Sequence, residues 1–173
     1  MKCFYHGTDF DGICSGAIVK IKHPECELIP ANYASEPQIT YDPQLDRLFY
    51  RNETVIDENE TVYLVDFMFE PAEMHLLNSN CHLIVIDHHK SRIEWADKEG
   101  FLAAEQSLEI GKAGCELTWE HIYPNCDMPE TVWLLGRYDV WDHEDPRVLP
   151  FQYGMRLLPE TDPASDLWKD LLD

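Results

Sequence analysis

The stretch that decides the fold is HLIVIDHH, residues 82–89, in which a continuous apolar run leads directly into an acidic residue and two histidines. Residues 82–86 are too few for a typical helix and rich in β-branched side chains, which predicts a strand buried on both faces. Residues 62–65, Val-Tyr-Leu-Val, form a second run of this kind, and Asp66 follows it. Strands buried on both faces are typical of parallel sheets.

Further strands and helices alternate around these two runs. Residues 2–5 predict another strand and residues 27–29 a fourth. Apolar residues with helical spacing predict helices over residues 12–22, 71–77, 114–123 and 129–141. Residues 35–60 carry little periodicity and are expected to form a long connection. The fold class is therefore α/β, with a doubly wound, mostly parallel sheet and helices on both faces.

Length and charge limit the classes of function. A chain of 173 residues is enough for one domain with its own core. Its 33 acidic and 13 basic residues give a net charge of −20, which disfavours long nucleic-acid tracts and anionic membranes as partners. The N-terminal residues lack the apolar core of a signal peptide, and no apolar run is long enough to span a membrane. We expect a cytoplasmic protein.

Acidic residues and histidines follow three of the predicted strands. His6, Asp9 and Asp11 follow the first, Asp66 the second, and an Asp-His-His triplet the third. In doubly wound sheets the ligand site lies outside the carboxyl ends of the strands. Asp9 and Asp11 are two residues apart, so in an extended segment their carboxylates lie on one side, roughly 7 Å apart. That spacing can serve two metal ions.

Each of these residues also has a simpler interpretation when it is taken alone. His6 could be a surface or core histidine, and Asp66 could cap the following helix. The adjacent histidines could occur by chance, and Asp139 could be a surface residue. Together, acidic or imidazole groups at three strand ends favour a metal site. Carboxylates mixed with imidazole favour Mn²⁺, with Mg²⁺ or Co²⁺ as alternatives.

The chain resembles the DHH phosphoesterases, a family named after an Asp-His-His triplet. The matching segments, in the family's order, are residues 6–12 (HGTDFDG), 65–66 (VD), 86–89 (IDHH) and 136–141 (GRYDVW). The resemblance covers about residues 1–157, which would form the catalytic domain, and leaves residues 158–173 as a C-terminal helical tail. The triplet after an apolar strand is its most specific element.

The resemblance implies two divalent metal ions that share a carboxylate. His6, Asp9 and Asp66 would hold one ion, and Asp66 would bridge to the other. The ligands implied for the second ion are Asp11, Asp66, His88 and Asp139.

The resemblance also implies roles in catalysis. His89 would contact the substrate phosphate and act either as an electrophile or in proton transfer, and Asp87 would orient an imidazole from outside the ligand set. Lys90, Arg92 and Arg137 lie close to the motifs and are candidate contacts for the phosphate. Solvated charges or ion pairs are the alternative interpretation of all three. Residues 111–114 precede a helix and could alternatively bind phosphate through backbone N–H groups.

The function implied is metal-dependent hydrolysis of a small phosphoester or a short oligonucleotide, with activated water attacking phosphorus. Members of the family usually carry a second, C-terminal domain that selects the substrate, whereas the resemblance here ends near residue 157 and the sequence at Asp173. We therefore expect an open cleft that a second chain or a homo-oligomer could complete. The alternatives are an inactive metal- or nucleotide-binding subunit and a hydrolase of pyrophosphate or polyphosphate.

Overall fold

The computed structural model describes all 173 residues and contains eight strands and seven helices. The strands are β1 (Lys2–His6), β2 (Glu27–Ala31), β3 (Ile39–Asp42), β4 (Arg47–Tyr50), β5 (Thr54–Ile56), β6 (Thr61–Val65), β7 (His82–Asp87) and β8 (Glu105–Leu108). The helices are α1 (Phe10–Lys22), α2 (Pro71–Asn80), α3 (Lys90–Glu99), α4 (Gly114–Ile122), α5 (Glu130–Asp139), α6 (Val148–Met155) and α7 (Leu167–Leu171). None of the helices is long and apolar enough to cross a membrane.

The main sheet has five parallel strands in the order β2-β1-β6-β7-β8. The chain continues from β1 to β2 on one side of the sheet and later to β6 on the other, which creates a topological switch point beside β1. Sheets of this kind bind ligands in the crevice at such a point. The predicted α/β class with a parallel sheet flanked by helices is confirmed.

Alternate side chains of the central strands pack in two separate cores. Phe4, Leu64 and Val85 belong to the core that includes residues of α2, α3 and the smaller sheet. Tyr5 and Ile86 belong to the opposite core, which includes residues of α1 and α4. Both faces of the sheet are therefore buried, which explains the continuous apolar runs in the sequence.

Residues 35–60 differ from the expected long connection. They form β3, β4 and β5, an antiparallel three-stranded sheet that packs Ile39, Leu48 and Ile56 into the core. The strands are only three or four residues long, and their turns use residues with positive φ such as Asp46 and Asn52. Strands this short give almost no periodic signal in the sequence.

The C-terminal residues pack on the rest of the chain. Trp168 of α7 is fully buried in a core that also contains residues of α1, α4, α5 and α6. Its indole N–H donates a hydrogen bond to the Thr161 carbonyl oxygen (3.3 Å). The tail predicted for residues 158–173 therefore contributes to this core.

Replacing Trp168 with alanine should lower the free energy of unfolding by about 3–5 kcal/mol, because the change opens a cavity in a fully buried position. Urea unfolding followed by circular dichroism measures the effect. Trp141→Ala is the matched control, since Trp141 is 85% exposed and its loss should change the free energy by little. Equal effects of the two substitutions would contradict the packing of α7.

Candidate metal centre

The predicted ligands meet at the carboxyl ends of β1, β6 and β7. Three overlapping groups of histidine and aspartate have ligand atoms within 4.8 Å of one another. The groups are His6 with Asp9 and Asp66, Asp11 with His88 and Asp139, and Asp66 with His88 and His89. All six predicted ligand residues therefore belong to one cluster around Asp66.

The first group surrounds Nδ1 of His6. This nitrogen lies 3.0 Å from Asp9 Oδ2 and 3.5 Å from Asp66 Oδ2. Neither contact has hydrogen-bond geometry, so the buried nitrogen has no partner. The other ring nitrogen, Nε2, is 2.8 Å from the hydroxyl of Thr8. With its single proton on Nε2, the ring can use Nδ1 as a metal ligand.

The second group surrounds Nε2 of His88. Three carboxylate oxygens lie near it, at 3.1 Å in Asp66, 3.4 Å in Asp139 and 3.6 Å in Asp11. Asp66 contacts His6 through Oδ2 and His88 through Oδ1, so its two oxygens serve different groups. This arrangement is what a bridging carboxylate between two ions requires.

Asp66 occupies a strained and buried position. Its φ of +53° lies in the left-handed region, and the residue is 1% exposed. Strain of this kind persists only where surrounding contacts hold it, and it occurs often at functional sites. Burial alone would raise the pKa of Asp66, but contacts with His6, His88 and His89 lower it below the ordinary value. The Asp66 carboxylate is therefore ionised.

Asp11 connects the site to α4. Its Oδ2 accepts a hydrogen bond from the backbone N–H of Gly114 (2.7 Å), and its Oδ1 accepts one from Cys115 (2.6 Å). Residue 114 must be glycine, because a Cβ there would lie 2.6 Å from the Cβ of Asp66. The first N–H groups of α4 thus bind the Asp11 carboxylate. The backbone N–H of Gly114 is therefore not available for the alternative in which residues 111–114 bind phosphate.

Burial and mutual repulsion raise the pKa values of two carboxylates in the cluster. Burial and the charge of Asp66 raise the pKa of Asp139 to about 6. Burial raises the pKa of Asp11 well above its usual value, and Asp66 and Asp139 add to the rise. Contacts with Asp66 and Asp9 raise the pKa of His6 to about 10. Burial and the close approach of the charged side chains account for these shifts.

Unpartnered buried atoms support a divalent cation at this place. His6 Nδ1 and Asp66 Oδ1 are buried and have no hydrogen-bond partner. Buried polar atoms without a partner are costly, and a coordinated cation would satisfy both. The donors are carboxylate oxygens and imidazole nitrogens without a thiolate, a set that suits Mn²⁺ better than structural zinc. The residues present therefore fit a pair of divalent ions.

Asp87 contacts the ring of His89 and the backbone N–H groups of His88 and His89. Its Oδ1 lies 2.7 Å from Nδ1 of His89 and accepts hydrogen bonds from the backbone N–H of His88 (2.8 Å) and of His89 (3.3 Å). Asp87 is fully buried, whereas the His89 side chain is 32% exposed. Burial lowers the pKa of His89, but the contact with Asp87 and the charges of Asp87 and Asp66 outweigh it, so the pKa is raised. Nε2 of His89 is left free for a ligand.

The three cationic residues predicted to contact phosphate form ion pairs within the chain. Arg92 donates to both oxygens of Glu70 (2.6 and 3.2 Å), and its guanidinium lies over the ring of Tyr33. Arg137 is paired with Glu116 and Asp142. Lys90 is 3.6 Å from Glu94 on the same helix. Ion pairing, the alternative interpretation, is therefore what the structure shows for all three residues. Their contact with a substrate stays a prediction.

Several residues of the site were missed at the level of sequence. Thr8 positions the His6 ring, and Tyr33, which follows β2, lies beside both His6 and His89 with ring centroids 5.7 and 5.9 Å away. Arg156 lies beside the site on the chain after α6. The position of Tyr33 after a predicted strand was the one feature of the sequence that could have placed it at the site.

Comparisons with known proteins provide a fold and no function. No protein-family model matches the chain. An uncharacterized protein, R106, of Acanthamoeba polyphaga mimivirus is 26% identical over 117 residues, which are 66% of this chain and 26% of the viral protein. The crystal structure of an uncharacterized protein from Helicobacter pylori G27 has a TM-score of 0.58 at 16% identity and covers 83% of this chain and 44% of the other. The chain thus spans less than half of each of these proteins, and the structural likeness concerns the fold alone.

Replacing Asp139 with asparagine should stabilise the metal-free protein and weaken metal binding. The folded-state pKa of about 6 exceeds the ordinary 3.8, so ionised Asp139 costs stability above about pH 6. We expect the melting temperature without metal to rise by about 3–6 °C at pH 7.5, and by less at pH 5.

The control for this prediction is Asp127→Asn, which removes the same charge from an exposed position. It should leave both the melting temperature and the affinity for Mn²⁺ nearly unchanged. An Asp139→Asn protein that behaves like the control would show that Asp139 does not belong to the charge cluster.

Proposed function

We propose that the chain is a divalent-metal-dependent phosphoester hydrolase of the DHH type that acts on a small phosphoester or a short oligonucleotide. The observation that carries this proposal is the convergence of two groups of ligands on the two oxygens of Asp66. The four segments that resemble the DHH family supply all members of both groups. A fold in which the switch point lies beside β1 adds support, since ligands bind there.

Each part of the cluster has a task in this proposal. His6 and Asp9 would hold one ion, Asp11, His88 and Asp139 the other, and Asp66 both. Bound divalent ions would polarise the phosphoryl oxygens and activate a water molecule for attack. The backbone N–H groups of Gly114 and Cys115 fix the Asp11 carboxylate, and Thr8 fixes the ring of His6.

His89 is the proposed proton donor to the substrate. Asp87 holds Nδ1 of His89, so Nε2 is the ring nitrogen that remains for the substrate. The Asp87 carboxylate favours the protonated form of the His89 ring. A protonated Nε2 can donate to a non-bridging or leaving oxygen as negative charge develops there.

The charge of the chain favours a small substrate. Setting aside Asp9, Asp11, Asp66, Asp87 and Asp139 leaves 28 acidic residues against 13 basic ones, a net charge of −15. A long polyanion would therefore meet repulsion over most of the surface. A short substrate needs favourable contacts only at the site itself.

Hydrolysis of a 5′-phosphorylated dinucleotide tests the proposal. We expect release of mononucleotide with Mn²⁺ and none with EDTA. Asp66→Asn should reduce the rate at least about 100-fold, because it removes the bridging charge, while asparagine tolerates the positive φ.

The matched control for Asp66→Asn is Asp46→Asn. Asp46 also has a φ of +53° but lies in an exposed turn between β3 and β4. Its substitution should leave the rate unchanged. Turnover that persists in EDTA or in Asp66→Asn would refute the two-ion proposal.

Replacing His89 with glutamine should lower kcat by about 100-fold or more while both ions stay bound, since His89 is not among the proposed ligands. Asp87→Asn acts through His89, so adding it to His89→Gln should cause little further loss. Rates of the two single variants and the double variant, with bound Mn²⁺ measured for each, check this prediction. Fully additive losses would separate Asp87 from His89.

A further inference from the structure

Two carboxylates of the group around His88 depend on different helices. Asp11 accepts hydrogen bonds from the first backbone N–H groups of α4, whereas Asp139 is the last residue of α5. Their nearest oxygens lie 3.6 and 3.4 Å from Nε2 of His88. A shift of α4 against α5 would therefore change the distance between the two carboxylates.

Glu116 connects the start of α4 with the end of α5. It lies in the first turn of α4 and is 5% exposed. Its Oε2 accepts a hydrogen bond from the backbone N–H of Ala113 (2.9 Å) and another from the guanidinium of Arg137 (2.5 Å). Arg137 lies in the last turn of α5, two residues before Asp139. One carboxylate oxygen is thus bonded to both helices.

The side chain of Glu116 also touches the backbone of α5. A Cβ at Gly136 would lie 2.7 Å from Cγ and Cδ of Glu116, so the close approach of the two helices requires glycine there. The other terminal nitrogen of Arg137 lies 3.4 Å from Asp142, in the turn that follows α5. Contacts of Glu116 and Arg137 therefore fix the segment that carries Asp139.

Burial makes this ion pair sensitive to the loss of either partner. The exposed fraction is 6% for the Glu116 side chain and 18% for that of Arg137. Removing one member of a buried pair leaves the charge of the other uncompensated, which favours a rearrangement that exposes it to water. The helices would move apart as this charge becomes hydrated.

We propose that Glu116 and Arg137 are positioning residues for the second metal ion. The pair sets the distance between Asp11 and Asp139, and with it the affinity of the ion that these carboxylates share with His88. This inference rests on the proposed function, which assigns the three ligands to one ion.

The first ion should not depend on the pair. Among its proposed ligands, His6 is held by the hydroxyl of Thr8, and Asp9 accepts a hydrogen bond from the backbone N–H of Gly12. Both contacts lie within the segment that follows β1 and are remote in sequence from α4 and α5. A change at Glu116 should therefore separate the affinities of the two ions.

Titration of Glu116→Gln with Mn²⁺ alone, followed by electron paramagnetic resonance, tests the inference. We expect the dissociation constant of the second ion to rise about tenfold or more, because residues that hold metal ligands in place contribute affinity of this order. The first dissociation constant should stay nearly unchanged, and the spin-coupled signal should appear only at higher Mn²⁺ concentrations.

A double-mutant cycle tests whether the two residues act through one contact. Arg137→Gln should weaken the second ion as Glu116→Gln does, and Arg137→Lys, which keeps the charge, should restore part of the affinity. Combining Glu116→Gln with Arg137→Gln should cause little further loss. Losses that add fully, or an Arg137→Gln protein that binds both ions normally, would overturn the assignment of the pair.

Glu120→Gln is the matched control. Glu120 belongs to the same helix and forms an ion pair with Lys112 (2.8 Å), but at an exposed position. Its substitution should leave both dissociation constants unchanged. Circular dichroism verifies that each variant is folded. Equal weakening of the two ions in a folded Glu116→Gln protein, or no weakening, would show that the residue does not position the second ion.

The two proposals fail in different ways. Two bound ions whose affinities respond to Glu116→Gln as expected, without any hydrolysis, would refute the hydrolase and leave the positioning pair in place. Mn²⁺-dependent hydrolysis by a protein in which Glu116→Gln binds both ions normally would refute the pair alone. A chain that binds fewer than two ions would refute both.

Discussion

The burial of the Asp66 carboxylate is the constraint on which the site depends. An ionised group with 1% exposure needs positive charge around it, and three histidines approach its oxygens from two strand ends. The left-handed backbone at Asp66 and the glycine at position 114 bring α4 close enough for its N–H groups to hold Asp11. The positions of the strand ends, of the N-terminus of α4 and of the carboxylates therefore depend on one another.

Much of the fold and of the cluster was predictable from local sequence. Apolar runs without polar interruption predicted β1, β6 and β7, because a strand buried on both faces has no exposed side that would carry polar residues. Each run ends in its candidate ligands, and parallel strands bring their carboxyl ends to one edge. The meeting of His6, Asp66 and His88 therefore follows from the topology alone.

Features that depend on distant contacts were not predictable. The sheet of β3–β5 consists of strands too short for periodicity, and α3 buries only Ile93 and Ala96. The pairing of Arg92 with Glu70 and of Arg137 with Glu116 joins residues more than 20 positions apart. Arg156 is among the cations without a carboxylate partner, which is apparent only when these pairs are known. A charged side chain near a motif is thus a weaker indicator of ligand binding than a charged side chain without an ion-pair partner.

The most direct test of the account is to count the manganese ions bound by the purified chain and to record their electron paramagnetic resonance. Asp66 contacts both groups of ligands, so the account predicts two Mn²⁺ ions per chain with a spin-coupled signal. Asp66→Asn should abolish the coupling. A single, magnetically isolated ion, or no bound ion at all, would contradict the paired metal centre.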